Sequence, residues 1–178
     1  MNAGDNIVLI GMPGAGKSTI GVLLAKRLGL DFLDTDLLIQ NGERRFLQQL
    51  ILERGVSGFL DLEAGYIGAV DARRTVIATG GSVVYRPEAM QHLDALGTIL
   101  FLDIDRDALT RRLADLDERG VVRLPGQSIE TIYAERRPLY RRYARITIDT
   151  TGCTPEQAVQ AICGRLADAP LDGNRPNR

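Results

Sequence analysis

Residues Gly11–Ser18 spell Gly-Met-Pro-Gly-Ala-Gly-Lys-Ser, and this stretch decides which fold the chain can adopt. It matches the pattern G-x-x-x-x-G-K-[ST] at every fixed position. The preceding run 6–10 is short, apolar and rich in branched residues, which predicts a buried parallel strand, and 19–28 has apolar residues at helical spacing. Because a strand and a helix flank the glycines, the stretch indicates a phosphate-binding loop rather than a glycine-rich turn without a ligand.

The residue types in this loop suit an anionic ligand. Its glycines allow successive backbone N–H groups to turn inward, and the N-terminus of the following helix adds partial positive charge at the same place. Lys17 can reach the β- and γ-phosphates of a nucleotide, and the Ser18 hydroxyl can ligate Mg²⁺. The loop therefore predicts a nucleotide bound with its magnesium ion.

Size and composition are those of one ordinary globular domain. The chain has 178 residues, of which 44% are hydrophobic and 25% charged. The formal net charge of −1 gives no reason to expect a nucleic-acid partner, and no apolar run reaches the ~18 residues that span a membrane. Residues 1–5 lack the features of a signal peptide, so we expect a cytoplasmic protein in which Cys153 and Cys163 are reduced thiols. We predict one domain over 1–168 and a disordered tail at 169–178.

Further strands are predicted at 31–33, 75–78, 98–102 and 145–149, with helical segments between them, which indicates an α/β fold with a parallel sheet. In such sheets the carboxyl ends of the strands border the ligand crevice. Asp34 and Asp36 follow the second strand, and Gly80 and Gly81 follow the third. The two carboxylates either serve a metal and an acceptor hydroxyl, or form a solvated strand end or a helix N-cap. Asp103, after the fourth strand, is a weaker candidate metal ligand.

Two segments between these strands are candidates for covering the crevice. Apolar residues in 37–72 recur at mixed spacings of three and four, which predicts a helical region that caps the crevice or merely covers the sheet. Residues 115–127 are charged and bracketed by glycine and proline, which is typical of a surface loop. A cation in this loop could close on a transferring phosphoryl group, as a lid does, or the loop is simply exposed.

Four arginines cluster near the end of the chain, and most of them are expected to be solvated or paired with Glu130 and Glu135. They are Arg136, Arg137, Arg141 and Arg142.

Taken in order, these motifs resemble the shikimate kinase family, in the nucleoside-monophosphate-kinase branch of P-loop folds. The resemblance covers about residues 6–166. It rests on the phosphate loop, on Asp-Thr-Asp at 34–36, on Thr-Gly-Gly at 79–81, on Arg123 in the predicted lid, and on Glu-Arg-Arg-Pro-Leu-Tyr at 135–140. The phosphate loop alone is shared by many nucleotide-binding proteins, and the other segments make the match specific.

The resemblance implies a three-layer α/β fold with a five-stranded parallel sheet in the order 2-3-1-4-5, a helical substrate-binding region at 37–72 and a lid at 115–127. It implies a monomer that transfers the γ-phosphoryl group of ATP, with Mg²⁺, to a ring hydroxyl of shikimate, a small acceptor with a hydroxyl and a carboxylate. The implied ATP-binding residues are Gly11, Pro13, Gly14, Ala15, Gly16, Lys17, Ser18, Thr19 and Arg123.

Carried over to this sequence, the family's site assigns catalysis to Lys17, Asp36 and Arg123 and metal binding to Ser18 and Asp34. The implied substrate-binding residues are Asp36, Gly80, Gly81 and Arg136. Asp36 would bind the acceptor hydroxyl and orient or deprotonate it, and Arg136 would pair with the acceptor carboxylate. Arg111 and Arg112 are the candidates for the family's adenine-stacking arginine.

The sequence departs from the family's pattern at two positions and in the lid. The family usually has Phe-Arg followed three residues later by Glu, whereas residues 59–63 read Phe-Leu-Asp-Leu-Glu, so Leu60 stands at the position of an arginine that grips the carboxylate of shikimate. Ser82 replaces the third glycine of Thr-Gly-Gly-Gly, and the lid has Arg-Leu-Pro at 123–125 in place of Arg-Pro-Leu. Losing one charged hydrogen bond costs about 1.5–3 kcal/mol of binding.

Three alternatives to shikimate phosphorylation stay open, and Leu60 and Ser82 favour the first of them because both fall on the acceptor side. A related kinase could act on a different acceptor, such as homoserine or a sugar acid. The chain could be a catalytically silent nucleotide-binding module, or a kinase whose acceptor is a nucleoside monophosphate.

Overall fold

The computed structural model describes residues 6–114 and 127–168. Five parallel strands form one sheet in the order β2-β3-β1-β4-β5, which confirms the predicted order. The strands are β1 Asn6–Ile10, β2 Asp31–Asp34, β3 Thr75–Ala78, β4 Gly97–Asp103 and β5 Ile146–Asp149. Residues 115–126 of the lid predicted at 115–127, and the tail at 169–178, lie outside the described residues.

Helices connect these strands. They are α1 Lys17–Leu28, α2 Thr35–Glu43, α3 Leu47–Gly68, α4 Pro87–Leu96, α5 Arg106–Ala114, α6 Ile129–Tyr143 and α7 Pro155–Asp168, with a 3₁₀ turn at Val83–Tyr85. None of the helices in the described part of the chain is long and apolar enough to cross a bilayer. Cys153 and Cys163 are free thiols, as predicted.

The central strand β1 shows why the fold has three layers. Its side chains alternate between the two faces of the sheet, and both faces are buried. Ile7 and Leu9 pack in a cluster with residues of α1 and α7, whereas Val8 and Ile10 pack in a second cluster with residues of α3, α4, α5 and α6. A strand that is apolar on both faces therefore requires a helical layer on each side.

The region 37–72 is helical, as predicted, and belongs to two cores. A small separate cluster holds Ile39 of α2 together with Leu47, Leu50, Phe59 and Leu60 of α3. The C-terminal end of α3 packs on the sheet, because Ile67 belongs to the hydrophobic cluster that contains Val8. A kink at Gly55, with φ 69° and ψ 174°, interrupts α3. The first part of this region is thus an extension with its own core, and the last part is a covering layer.

Candidate active site

The phosphate loop joins the carboxyl end of β1 to the N-terminus of α1. Gly14 and Gly16 have φ values of 79° and 91°, in the left-handed region that favours glycine. Gly16 caps α1, and within the described residues no side chain makes a cap hydrogen bond to the first-turn N–H groups, which lack intrahelical acceptors. This cradle fits a phosphate group.

Lys17 is buried at the start of α1, and its Nζ donates hydrogen bonds of 2.9 Å to the carbonyl oxygens of Gly11 and Met12. Burial lowers the pKa of Lys17 to about 8, although the carboxylates of Asp36 and Asp34 oppose this shift. The lysine is therefore held against its own loop and still carries its charge near neutral pH.

Ser18 and Asp34 meet across the crevice, because the Ser18 hydroxyl donates a hydrogen bond of 2.6 Å to Oδ2 of Asp34. The other carboxylate oxygen of Asp34 accepts from the backbone N–H groups of Asp36 and Leu37 and caps α2. Both interpretations of Asp34, the functional one and the N-cap, therefore fit its position. A hydroxyl and a carboxylate are hard oxygen donors of the kind that Mg²⁺ prefers.

One pocket of about 270 Å³ brings most of the predicted site residues together. Its walls come from the phosphate loop, the start of α2, the middle of α3, the end of β3 and α6. The lining residues are Pro13, Gly14, Gly16, Lys17, Ser18, Thr19, Asp36, Leu47, Phe59, Glu63, Thr79, Gly80, Gly81, Ser82 and Arg136. Arg123 lies outside the described residues.

Asp36 sits at the start of α2 with its side chain in this pocket. Burial raises the pKa of Asp36 to about 6, while the Lys17 ammonium lowers it and the Asp34 carboxylate raises it. A carboxyl group with a pKa near neutrality can accept a proton from a substrate hydroxyl.

The two glycines after β3 allow close approach of neighbouring groups. A Cβ atom on Gly80 would collide with the carboxyl oxygens of Glu63 and Asp36, and one on Gly81 would lie 2.7 Å from Cδ of Pro13 in the phosphate loop. The Gly80 N–H donates to the Thr35 hydroxyl at 3.2 Å. A side chain at either position would therefore fill the pocket or displace the phosphate loop.

Arg136 is buried on α6, with 1% of its surface exposed, and lines the pocket. Its Nε donates to the Tyr85 hydroxyl at 3.2 Å, and its guanidinium carbon lies 5.0 Å from the centroid of the Tyr85 ring. The Tyr85 hydroxyl in turn donates to Glu135 at 3.0 Å. This chain of contacts fixes the direction of the guanidinium.

The predicted pairing of the arginine cluster with Glu130 and Glu135 is wrong for Arg137 and Arg141. The Arg137 guanidinium donates two hydrogen bonds, of 2.9 and 2.8 Å, to the two carboxylate oxygens of Asp103, and Arg141 donates a third of 3.2 Å. The partner is thus at the end of β4 rather than Glu130 or Glu135. Because three hydrogen bonds from arginines occupy Asp103, it is a poor candidate for the metal ligand that its position after β4 indicated.

The two candidates for the adenine-stacking arginine lie on α5. Arg112 donates to the carbonyl oxygen of Cys153 at 3.4 Å, just before α7, and Arg111 lines a shallow exposed pocket with Asp105 and Tyr133. A role of either residue at an adenine ring stays a prediction.

Reasoning from the sequence missed Glu63 as a site residue. Glu63 is 1% exposed on α3 and lines the pocket. Ser82 donates a hydrogen bond of 2.8 Å to its Oε2. Burial raises the pKa of Glu63 to about 7, helped by the Asp36 carboxylate and opposed by the Ser82 hydrogen bond, Arg136 and Lys17. The available signal was a carboxylate within an otherwise apolar helical face.

Leu60, unlike Glu63, does not line the pocket. It is buried in the small cluster of α2 and α3. The residue at the position of the family's arginine therefore belongs to the apolar core of the helical region.

The fold and the site together define a class of protein. A phosphate-binding loop follows the central strand of a parallel sheet in the order 2-3-1-4-5, and its lysine shares a pocket with an acidic and a basic side chain. This is the arrangement of a P-loop kinase that phosphorylates a small molecule.

Comparison with known proteins identifies the family. The family model for shikimate kinase matches residues 13–167. The shikimate kinase of Thermodesulfovibrio yellowstonii is 38% identical over 160 residues, which are 88% of this chain and 92% of that protein. The chain belongs to the shikimate kinase family, and the resemblance inferred from its motifs is confirmed. It is an ATP-dependent small-molecule kinase.

Solved structures agree with this assignment. The shikimate kinase of Acinetobacter baumannii, solved in complex with shikimate, superposes with a TM-score of 0.85 at 28% identity, covering 94% of this chain and 95% of that chain. Thymidylate kinase from Candida albicans, at 14% identity and a TM-score of 0.60, covers 93% of this chain and 92% of its own and shares the fold alone.

Proposed function

We propose that this protein transfers the γ-phosphoryl group of ATP to a hydroxyl group of shikimate, forming shikimate 3-phosphate. The observation that carries the proposal is the single pocket that joins the phosphate loop to Asp36 and Arg136. Relatives named shikimate kinase, and a similar structure solved with shikimate, support this acceptor.

At the nucleotide end of the pocket, the phosphate loop holds the β- and γ-phosphates through its backbone N–H groups and Lys17. Lys17 then turns from the carbonyl oxygens of Gly11 and Met12 toward the phosphates and neutralises charge that develops during transfer. Ser18 and Asp34 would hold Mg²⁺, which when bound neutralises phosphate charge. We propose that Arg123 adds a further cation from the lid.

At the acceptor end, Asp36 orients the reacting hydroxyl and takes its proton, and its raised pKa suits this role. Arg136 receives the acceptor carboxylate, for which a planar guanidinium offers two parallel donors. The backbone at Gly80 and Gly81 contacts the acceptor ring, because neither residue has a side chain to exclude it.

A second candidate function is the same reaction on a different acceptor, such as homoserine or a sugar acid. Leu60 favours it, because this apolar residue stands at the position of an arginine that grips the substrate carboxylate in the family. Such an acceptor would still offer a carboxylate to Arg136 and a hydroxyl to Asp36.

The decisive experiment measures ADP formation from Mg·ATP by the purified protein with shikimate, homoserine, gluconate and a set of nucleoside monophosphates. Turnover with shikimate at micromolar to low-millimolar KM supports the proposal. Turnover with homoserine or gluconate and none with shikimate supports the second candidate, and turnover with a nucleoside monophosphate indicates a nucleoside-monophosphate kinase. Absence of acceptor-dependent ADP formation indicates a silent module. We further propose a cytoplasmic monomer, and light scattering on the purified protein tests the oligomeric state.

A further inference from the structure

The two positions that depart from the family's pattern on the acceptor side, 60 and 82, both lie close to one buried carboxyl group. Ser82 donates to Oε2 of Glu63 at 2.8 Å, and both residues are 1% exposed. Leu60 precedes Glu63 by three residues on α3, so a long side chain at position 60 would lie on the same helix face as that carboxyl. Position 82 thus contacts Glu63 directly, and position 60 lies about one helical turn from it.

The backbone does not require glycine at position 82. Ser82 has φ −92° and ψ −11°, which residues of any type adopt. Its side chain is nevertheless completely enclosed, and its hydroxyl has a specific partner. The hydroxyl is thus the feature that distinguishes this position from a glycine.

Glu63 in turn borders the reacting end of the pocket. Its Oε1 lies against Gly80, beside Oδ1 of Asp36, and has no hydrogen-bond partner among the described residues. The charged and titratable groups that act on it are Asp36, Lys17, Arg136 and Tyr140. A movement of this carboxyl would change its contact with Gly80 and the electrostatic field at Asp36.

We propose that Ser82 is a positioning residue for the acceptor, acting through Glu63. Its hydroxyl supplies the hydrogen-bond partner that an arginine at position 60 would otherwise offer, and so holds the Glu63 carboxyl against Gly80. This chain has leucine instead of the family's arginine at position 60, and serine instead of its glycine at position 82. The second exchange compensates for the first, because it gives the Glu63 carboxyl a new hydrogen-bond donor. This proposal rests on the proposed kinase function, since it concerns the acceptor end of the same pocket.

The first test compares Ser82→Gly with the unaltered protein at saturating Mg·ATP. The loss of a buried hydrogen bond to a carboxyl group predicts a ~5- to 50-fold rise in the KM for shikimate. The KM for ATP is expected to stay within about twofold, because Ser82 lies on the acceptor side. An unchanged acceptor KM, or an equal rise in both KM values, would overturn the proposal.

The second test measures the pH dependence of the protein. A purely structural role of Ser82 would leave the titration of Glu63 unchanged. The Ser82 hydrogen bond lowers the pKa of Glu63, so Ser82→Gly should shift a titration near pH 7 to higher pH. Glu63→Gln should abolish that titration, and Glu88→Gln, at an exposed site on α4, should leave it unchanged. A titration that Ser82→Gly does not move, or that persists in Glu63→Gln, would refute the link.

The third test combines Ser82→Gly with Leu60→Arg. An arginine at position 60 restores a partner for Glu63, so removal of the Ser82 hydroxyl should cost at least fivefold less in acceptor KM in that background. An equal cost in both backgrounds excludes compensation. If Leu60→Arg does not fold, the first two tests decide.

Unfolding curves of the ligand-free protein between pH 5 and 9, compared with those of Glu63→Gln, separate the titration of Glu63 from those of Asp36 and Lys17 without any acceptor. They keep the outcome separate from the proposed function. Absence of shikimate turnover in the unaltered protein would refute the proposed function, whereas an unmoved Glu63 titration in Ser82→Gly would refute the role of Ser82.

Discussion

Replacement of Arg136 by methionine probes the acceptor end of the pocket. Methionine keeps much of the length and volume of the arginine stem, so the buried space on α6 stays filled, and only the guanidinium is lost. The Tyr85 hydroxyl keeps its hydrogen bond to Glu135. The substitution therefore removes charge and donors from the pocket while it preserves most of the packing.

The size of the effect follows from the proposed contact. A charge-assisted hydrogen bond to a carboxylate is worth about 1.5–3 kcal/mol, and the guanidinium of Arg136 can make two in parallel. A loss of about 3 kcal/mol corresponds to a rise in the acceptor KM on the order of 100-fold. The pKa of Glu63 should also rise, because Arg136 lowers it in the unaltered protein.

Coupled ADP assays with varied shikimate at fixed ATP, and with varied ATP at fixed shikimate, separate the two KM values. Arg142→Met is the matched control, because Arg142 is exposed on the same helix, and its guanidinium lies 5.9 Å from the Tyr143 ring centroid. The control should match the unaltered protein in both KM values. An acceptor KM within twofold of normal in Arg136→Met would refute the role of Arg136 as the carboxylate anchor.

Two further predictions concern stability. Asp103→Asn should lower the free energy of unfolding, measured by urea denaturation, by about 2 kcal/mol. The reason is that it weakens three hydrogen bonds from Arg137 and Arg141 to a carboxylate whose side chain is 9% exposed. An unchanged free energy of unfolding would mean that α6 does not depend on this ion pair. Glu63 has its pKa raised from 4.5 to about 7, so its stabilising contribution is complete below pH 4.5 and is lost as pH rises through 7. The loss of stabilisation from Glu63 amounts to about 3 kcal/mol. The free energy of unfolding should therefore decline less between pH 5 and 8 in Glu63→Gln than in the control variant Glu88→Gln.

The local sequence was sufficient for the phosphate loop and the central strand. The glycine pattern of Gly11–Ser18 requires left-handed backbone angles, and the structure has them at Gly14 and Gly16. The unbroken apolar run of β1 requires a covered sheet on both faces, which the two clusters around Val8 and Leu9 provide. Short-range backbone preferences and strand periodicity govern such features, so they are readable in the sequence.

The contacts of the arginines of α6 could not be predicted from the local sequence. Arg136 and Arg137 are adjacent and chemically identical, yet one lies in the pocket and the other binds Asp103 at the end of β4. Consecutive residues of a helix point about 100° apart, and only the packing of α6 against the sheet decides which direction is inward. Family motifs indicated Arg136, but the partner of Arg137 could not be predicted.

The sequence by itself therefore determined the class of fold, the phosphate loop, and the order in which acidic, glycine and arginine motifs follow the strands. The tertiary structure alone decided that Glu63 is buried against Ser82 and that Leu60 belongs to the small helical core. The physical reason is the range of the interactions. Backbone conformation and periodicity depend on neighbours in the chain, whereas the burial and pKa of a carboxyl group depend on residues that folding brings next to it.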